Sequence, residues 1–125
     1  MEIEFILYVK DLAKSKLFYC NLFELKPTLD VPGMVEFSLA KDVKLGLMPE
    51  SGISKIICPV MPNPSSANGI PRCELYIKDK RHLDFFNNAL ANGAKIISQP
   101  NLRNWGDVVS YVADYDGNII ALANS

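Results

Sequence analysis

The chain is expected to fold as an α+β protein in which one β-α-β-β-β unit is used twice, and three observations lead there. Tyr8-Val9-Lys10-Asp11 returns as Tyr76-Ile77-Lys78-Asp79. The same offset, 76 − 8 = 68, carries Phe18 onto Phe86 and Leu22 onto Leu90. The correspondence therefore runs through a strand-like stretch and into the helix-like stretch that follows. Between the copies, residues 49–71 hold five of the eight prolines, which is the composition of a connecting segment.

Each element follows from local pattern. Residues 3–10 alternate in polarity, and Asp11 offers an N-cap oxygen to a helix marked by Leu12, Phe18, Tyr19 and Leu22. Pro27, Pro32 and Gly33 divide the next stretch into short strands near 27–31 and 34–40, and residues 43–48 supply a third. The second copy repeats the order: a strand over 72–78, a helix over 80–92 carrying Leu83, Phe86 and Leu90, and Gly93 as its stop. Strands near 95–98, 107–113 and 118–123 complete it, the last two joined by a tight Asp116-Gly117 hairpin turn. A single domain over 1–125 is expected, with modules at 1–48 and 72–125 and the linker between them. Ile56, Ile57, Val60 and Met61 make the middle of that linker apolar, so it should lie against the sheet or a partner subunit, or act as a cavity lid.

Composition narrows the function. At 125 residues with 49% hydrophobic content, the chain can build one ordinary core. Its 13 basic residues nearly cancel 14 acidic ones, which argues against a polyanion-binding surface and hence against nucleic acid as a partner. Cys20, Cys58 and Cys73 are odd in number and lack close-paired spacing, so they read as small apolar groups rather than disulfides or a zinc knuckle. No apolar run approaches the ~20 residues that span a bilayer. Glu2 and Glu4 open the chain without a basic flank, so no signal peptide is expected and a reducing cytoplasm is the default compartment.

With the paired units in place, the chain resembles the vicinal oxygen chelate superfamily, which includes glyoxalase I, bleomycin-resistance proteins and extradiol dioxygenases. The resemblance rests on Tyr8-Val9-Lys10-Asp11-Leu12 followed by Phe18-Tyr19, on Trp105-Gly106, on Tyr111-Val112-Ala113-Asp114, and on Asp116-Gly117-Asn118-Ile119-Ile120-Ala121-Leu122. It implies two modules forming an incomplete mixed-sheet barrel around a cavity, commonly in a homodimer. It also implies a divalent metal held from four strands, at positions that here read Glu4, Gly46, Arg72 and Ala121. Only Glu4 among them carries a metal-binding group, and arginine has no lone pair to give. No metal and no cofactor are therefore expected. The one histidine, His82, falls in the first turn of the second helix and is expected at the solvated surface.

Strand alternation then selects a face. Glu4, Ile6 and Tyr8 share one register and Arg72, Glu74 and Tyr76 its counterpart, while Phe5, Leu7 and Val9 should meet helices. Glu4 and Arg72 are expected to pair across the pseudo-twofold, either filling the vacated metal position or recognising a ligand. Trp105, the only tryptophan, with Arg103 two residues before it, would add an aromatic wall, and in binding members of the superfamily aromatics near this place enclose the ligand. The expected ligand-binding set is Glu4, Ile6, Tyr8, Arg72, Glu74, Tyr76, Arg103, Trp105 and Ala121. It suits a small organic molecule, flat and bearing an acceptor or anionic group, held by a metal-free sequestration or resistance protein. The near-neutral balance lacks the acidity expected for a cationic glycopeptide. The alternative is an enzyme of the superfamily, a lyase, isomerase or dioxygenase, with Glu4 or Glu74 as general base; a third reading gives the protein a role through its dimer surface alone.

Incubated with zinc, nickel, manganese and iron(II) and then desalted, the protein is expected to carry no stoichiometric ion by elemental analysis. Retention of one ion per chain, abolished by Glu4→Gln, would return the reading to a metal enzyme.

Overall fold

The computed structural model describes residues 1–125. Its elements are β1 (Ile3–Val9), α1 (Leu12–Phe23), β2 (Leu29–Val31), β3 (Met34–Ala40), β4 (Val43–Pro49), α2 (Glu50–Ile57), a 3-10 turn (Pro64–Ala67), β5 (Glu74–Lys78), α3 (His82–Ala91), β6 (Lys95–Leu102), β7 (Val108–Ala113) and β8 (Ile119–Ala123). This is the α+β, twice-used β-α-β-β-β order read from the sequence. The chain divides into two compact units, one of Met1–Cys20 with Glu24–Asn68, the other of Asn21–Phe23 with Gly69–Ser125. No helix is long and apolar enough to cross a membrane.

Each unit holds a four-stranded sheet, ordered β1-β4-β3-β2 in the first and β5-β8-β7-β6 in the second. In both, the last strand inserts beside the first and runs parallel to it, while the other pairings are antiparallel. A helix follows the first strand because a parallel partner needs a crossover.

In the first unit, Asp11 caps α1 by accepting from the Lys14 backbone N–H at 3.0 Å. Leu7 and Val9 of β1 are buried with Phe18 and Tyr19 of α1 and with Val35, Phe37, Leu45 and Leu47 of the sheet. Phe18 meets Tyr19 edge-on at 5.0 Å. Phe5 was expected on the helix-covered face, but it keeps 43% of its surface exposed. It lies beside the exposed pair Ile3 and Val43 at the start of β1 and β4.

In the second unit, Phe85, Phe86 and Ala89 of α3 are buried with Val112, Ile120 and Leu122. Phe23, which belongs to this unit, sets its ring edge-on to Phe85 at 5.3 Å. Gly93 ends α3 as its sequence position suggests: at φ +81 it lets its N–H reach Leu90 O while Ala94 N–H reaches Ala89 O, the two bonds of a Schellman motif.

Four boundaries differ from the sequence reading. The linker is structured: α2 packs on β1 and β4 and buries Ile53. Ile56, on the outer side of this helix, and Val60 (88% exposed) and Met61, beyond its end, do not lie against the sheet in the single chain. β5 starts at Glu74, leaving Arg72 ahead of the strand. β6 runs on through Pro100 to Leu102, which an edge strand with register shifts at Ser98 and Asn101 tolerates.

Finally, β7 and β8 are joined by the five residues 114–118, one more than the expected strand bounds leave, with Asp116-Gly117 inside the turn. Asp114 organises them, its Oδ1 accepting from the backbone N–H groups of Asp116 and Asn118, each at 2.9 Å, and its Oδ2 from Asn118 Nδ2.

Gly117 in this loop has φ +84, and a Cβ there would strike the Gly69 carbonyl. Gly117→Ala is expected to cost about 1–3 kcal/mol by urea denaturation, the scale of local backbone strain, plus the clash. Gly33→Ala, at a similar φ of +88 but with nothing within 4 Å of the new methyl, should cost clearly less; equal losses would remove the Gly69 contact from the account.

Candidate functional site

Pairing in the second sheet puts Tyr76, Ala121 and Tyr111 in one row and Lys78, Ala123 and Val109 in the next. Residues paired in this way share a face. Val109, Ala121 and Ala123 form its fully buried floor, and Tyr76 and Tyr111 pack against it. At Ala121 and Ala123 the inner strand β8 brings only methyl groups to this face, and long side chains from β5 pass over them.

They meet the turn between β6 and β7. Arg103 N–H donates to Asp107 O at 2.8 Å, and Gly106, at φ +97, donates to Arg103 O at 3.0 Å, closing the turn that carries Trp105. The Tyr76 hydroxyl donates to Asp107 Oδ2 at 2.6 Å and accepts from Trp105 Nε1 at 2.9 Å. Lys78 Nζ donates to Asp107 Oδ1 at 3.2 Å. The donors Tyr76 and Lys78 hold the Asp107 carboxyl below its ordinary range. Burial, followed by the bond to Asp107, pushes the Tyr76 phenol up. Trp105 itself stays 58% exposed.

Arg103 is largely committed to the hairpin. Its Nη2 donates to Ser98 Oγ and Val109 O, both at 2.8 Å, and to Gln99 O at 3.3 Å, spanning the irregular stretch of β6. Its guanidinium lies 5.1 Å from the centre of the Tyr111 ring. The shielded Nε has no hydrogen-bond partner.

Of the residues singled out in the sequence, Tyr76, Arg103, Trp105 and Ala121 thus gather on one face of the second sheet, with Ala121 fully buried beneath the tyrosines. Arg72 and Glu74 are exposed, at or before the start of β5. Sequence reasoning missed Asp107 and Tyr111 and gave Lys78 only a solvated role. The repeated Tyr-x-Lys of each first strand was the available signal, and it lacked a partner.

In the first unit, Glu4, Ile6 and Tyr8 lie on one face of β1, with Glu4 and Tyr8 half-buried and Ile6 more open. Gly46 of β4 pairs with Ile6 on one side and Glu36 of β3 on the other. A Cβ at Gly46 would sit 2.5 Å from Glu4 Oε1, so the missing side chain makes the slot in which the Glu4 carboxyl lies. That oxygen is shielded and has no hydrogen-bond partner. Burial first, then a hydrogen bond and repulsion from Glu36, raise the Glu4 pKa against the opposing pull of Lys44. Lys44 Nζ is engaged by Glu2 at 2.9 Å and lies 3.7 Å from Glu36.

The four positions that a superfamily metal would use do not fit one. Gly46, Ala121 and Arg72 offer no lone pair from their side chains, which leaves the Glu4 carboxyl alone. The pairing also separates two of them. Gly46 stands opposite Ile6, whose copy at the 68-residue offset is Glu74 (6 + 68), and Glu74 faces Ile119, whereas Ala121 faces Tyr76. Gly46 and Ala121 are therefore two residues out of register as counterparts.

His82 opens α3 half-buried, with its Nδ1 shielded and unpartnered, rather than at the solvated surface. Two open concavities of the first unit, about 370 Å³ beside Lys16 and Asp30 and about 270 Å³ among Lys10, Glu50 and Asn63, contain none of the expected site residues.

The comparisons with known proteins agree with this architecture. A glyoxalase-related enzyme from Fulvimarina pelagi superposes with a TM-score of 0.83 at 18% identity, covering 100% of this chain and 88% of its own. A glyoxalase/bleomycin resistance protein/dioxygenase family enzyme from Burkholderia phytofirmans PsJN gives 0.79 at 13% identity, covering 97% and 95%. A bleomycin-binding protein complexed with bleomycin gives 0.67 at 15% identity, covering 100% and 98%. At these identities the likeness is one of fold. A search of curated proteins found no match. The glyoxalase-like domain pattern, however, matches residues 3–125. With the doubled β-α-β-β-β fold and nearly the whole chain matched, the protein belongs to the glyoxalase-like domain family of the vicinal oxygen chelate superfamily.

Proposed function

We propose that the protein is a metal-free binder of a small, flat organic molecule, held against the Trp105 and Tyr76 side of the second sheet, and that it works by sequestration. The observation that carries this reading is the treatment of Trp105. A tryptophan in a small protein ordinarily buries most of its surface, yet this one is 58% exposed while its N–H is fixed by Tyr76. A displayed but immobilised aromatic face is what a stacking ligand requires. The fold neighbour that holds bleomycin supports small-molecule capture on this architecture. The near-neutral charge favours a ligand that is not strongly cationic. A cytoplasmic homodimer belongs to the same reading, with the exposed strip of Ile3, Phe5 and Val43 as apolar surface available to a second copy.

Naphthalene-2-carboxylate serves as a probe. It is expected to bind saturably by calorimetry without being consumed, and Trp105→Ala should weaken binding about tenfold, the ~1.4 kcal/mol scale of one aromatic contact. Turnover of a bound compound, or the absence of stabilisation by any aromatic acid in a screen, would remove this function.

A second reading is favoured by one observation. Glu4, crowded by Glu36 over Gly46, holds its proton more tightly than an ordinary glutamate, which suits a metal-free general acid or base. The folded chain binds this proton more tightly than the unfolded one. The associated stability is therefore complete below the ordinary Glu value and is lost as pH rises through the raised one. Glu4→Gln is expected to flatten the fall in stability from about pH 4, near the ordinary Glu value, towards neutrality, as followed by urea denaturation. An unchanged slope would show that Glu4 titrates normally.

A further inference from the structure

We propose that Asp107 is the positioning residue of the Trp105 site: clamped by Lys78, it takes the Tyr76 hydrogen, turns the Tyr76 oxygen towards the Trp105 indole, and leaves the site to read its ligand through ring faces. The inference rests on the binding function proposed above, but its structural half stands without a ligand.

The geometry is a directed chain. Lys78 and Tyr76 are i+2 and i on β5 and project on the same side. Both reach Asp107, one to each carboxylate oxygen, at 3.2 and 2.6 Å. Ala121 and Ala123 lie between β5 and the β7 end of the sheet and leave the crossing open. A larger side chain at either alanine would stand in the path.

A phenol has one hydrogen. With that hydrogen given to Asp107, Tyr76 can only accept towards Trp105, and the observed bond from Nε1 at 2.9 Å is of that kind. If the phenol hydrogen turned elsewhere, the indole would lose a correctly oriented acceptor and the exposed ring its tether.

The same count sets specificity. Trp105 has one N–H and Tyr76 one O–H, and both are used inside the protein. Neither ring can donate to a ligand without breaking the chain, so selection falls on shape and π surface. The ligand class that follows is a planar aromatic in preference to a saturated molecule of the same size and charge. Arg103, stacked on Tyr111 and bonded into β6 and β7, adds positive potential without offering a flexible arm.

The test uses the full chain and the single tryptophan as reporter. In unliganded protein, Asp107→Asn is expected to shift Trp105 emission to longer wavelength, increase its quenching by acrylamide, and lower the Tyr76 phenol pKa followed by carbon NMR. Lys78→Met should produce the same emission and quenching changes more weakly. For the ligand, naphthalene-2-carboxylate is compared with its decahydro analogue, and the aromatic acid should bind at least about tenfold tighter. Asp107→Asn and Tyr76→Phe should each weaken naphthoate binding about tenfold, and the double variant little more than either, because both cut one chain. Unchanged emission and Tyr76 titration in a folded Asp107→Asn protein would overturn the positioning role, as would additive losses. Equal binding of the two acids would overturn ring-face selection. If wild-type protein binds neither acid while the emission shift occurs, the positioning chain stands and the proposed function falls.

Discussion

A short low stretch on one face of the inner strand beside the first, Gly46 in β4 and Ala121 with Ala123 in β8, is the constraint on which the rest depends. In each unit the last strand is driven between the first and third, so side chains from both neighbours converge over it. Gly46 in β4 and Ala121 with Ala123 in β8 keep that strip low. Over the glycine, the Glu4 carboxyl is buried beside Glu36, which raises the Glu4 pKa. Over the alanines, Tyr76 and Lys78 reach Asp107. A branched residue at any of these places would separate the groups whose interaction gives each sheet its chemistry.

The two copies have spent this opening differently. In the first, a carboxyl is buried and set beside a second one, which raises its proton affinity. In the second, opposite charge and hydrogen bonding are brought together, which orders an exposed aromatic ring. The aspartate there has two well-placed donors and its pKa is lowered, while burial and the nearby Glu36 raise that of the glutamate in the first unit. One scaffold thus supports both an acid-base group and a stacking platform, and the difference lies in which side chains flank the low strip. The face outside that strip conserves the ordinary arrangement of strand against helix, with Phe18 and Phe86 buried at matching positions of α1 and α3.

Much of the architecture was legible because it follows from short-range pattern. Asp11 before Leu12, Gly93 after the second helix and the alternation from Ile3 to Val9 each encode an element within a few residues. The repeat then set the order of strands. Composition hid α2, since the prolines around it dominate the segment, and Pro100 hid the far half of β6, since only strand order shows that β6 is an edge. The candidate site was half legible. Trp105 and Tyr76 stood out as a unique aromatic and a repeated one. Asp107 could not, because it joins Tyr76 across 31 residues of chain and through a registry that the sequence does not print. Glu36 was missed for the same reason: its approach to Glu4 is decided by the antiparallel pairing of β3 with β4. Leu90 shows the limit of the repeat itself, being 43% exposed where its copy Leu22 is buried.

The close approach of Gly117 to Gly69 has a consequence for how the protein can be divided. The backbone just after the 3-10 turn forms one wall of the loop that Asp114 organises, so the end of the connecting segment belongs to the second unit in a physical sense. A fragment, permuted chain or inserted tag that breaks between Gly69 and Arg72 would remove that wall while leaving every strand intact. A break before Gly69 would keep it. The sensible place to cut this gene is therefore set by two glycines that no strand or helix contains.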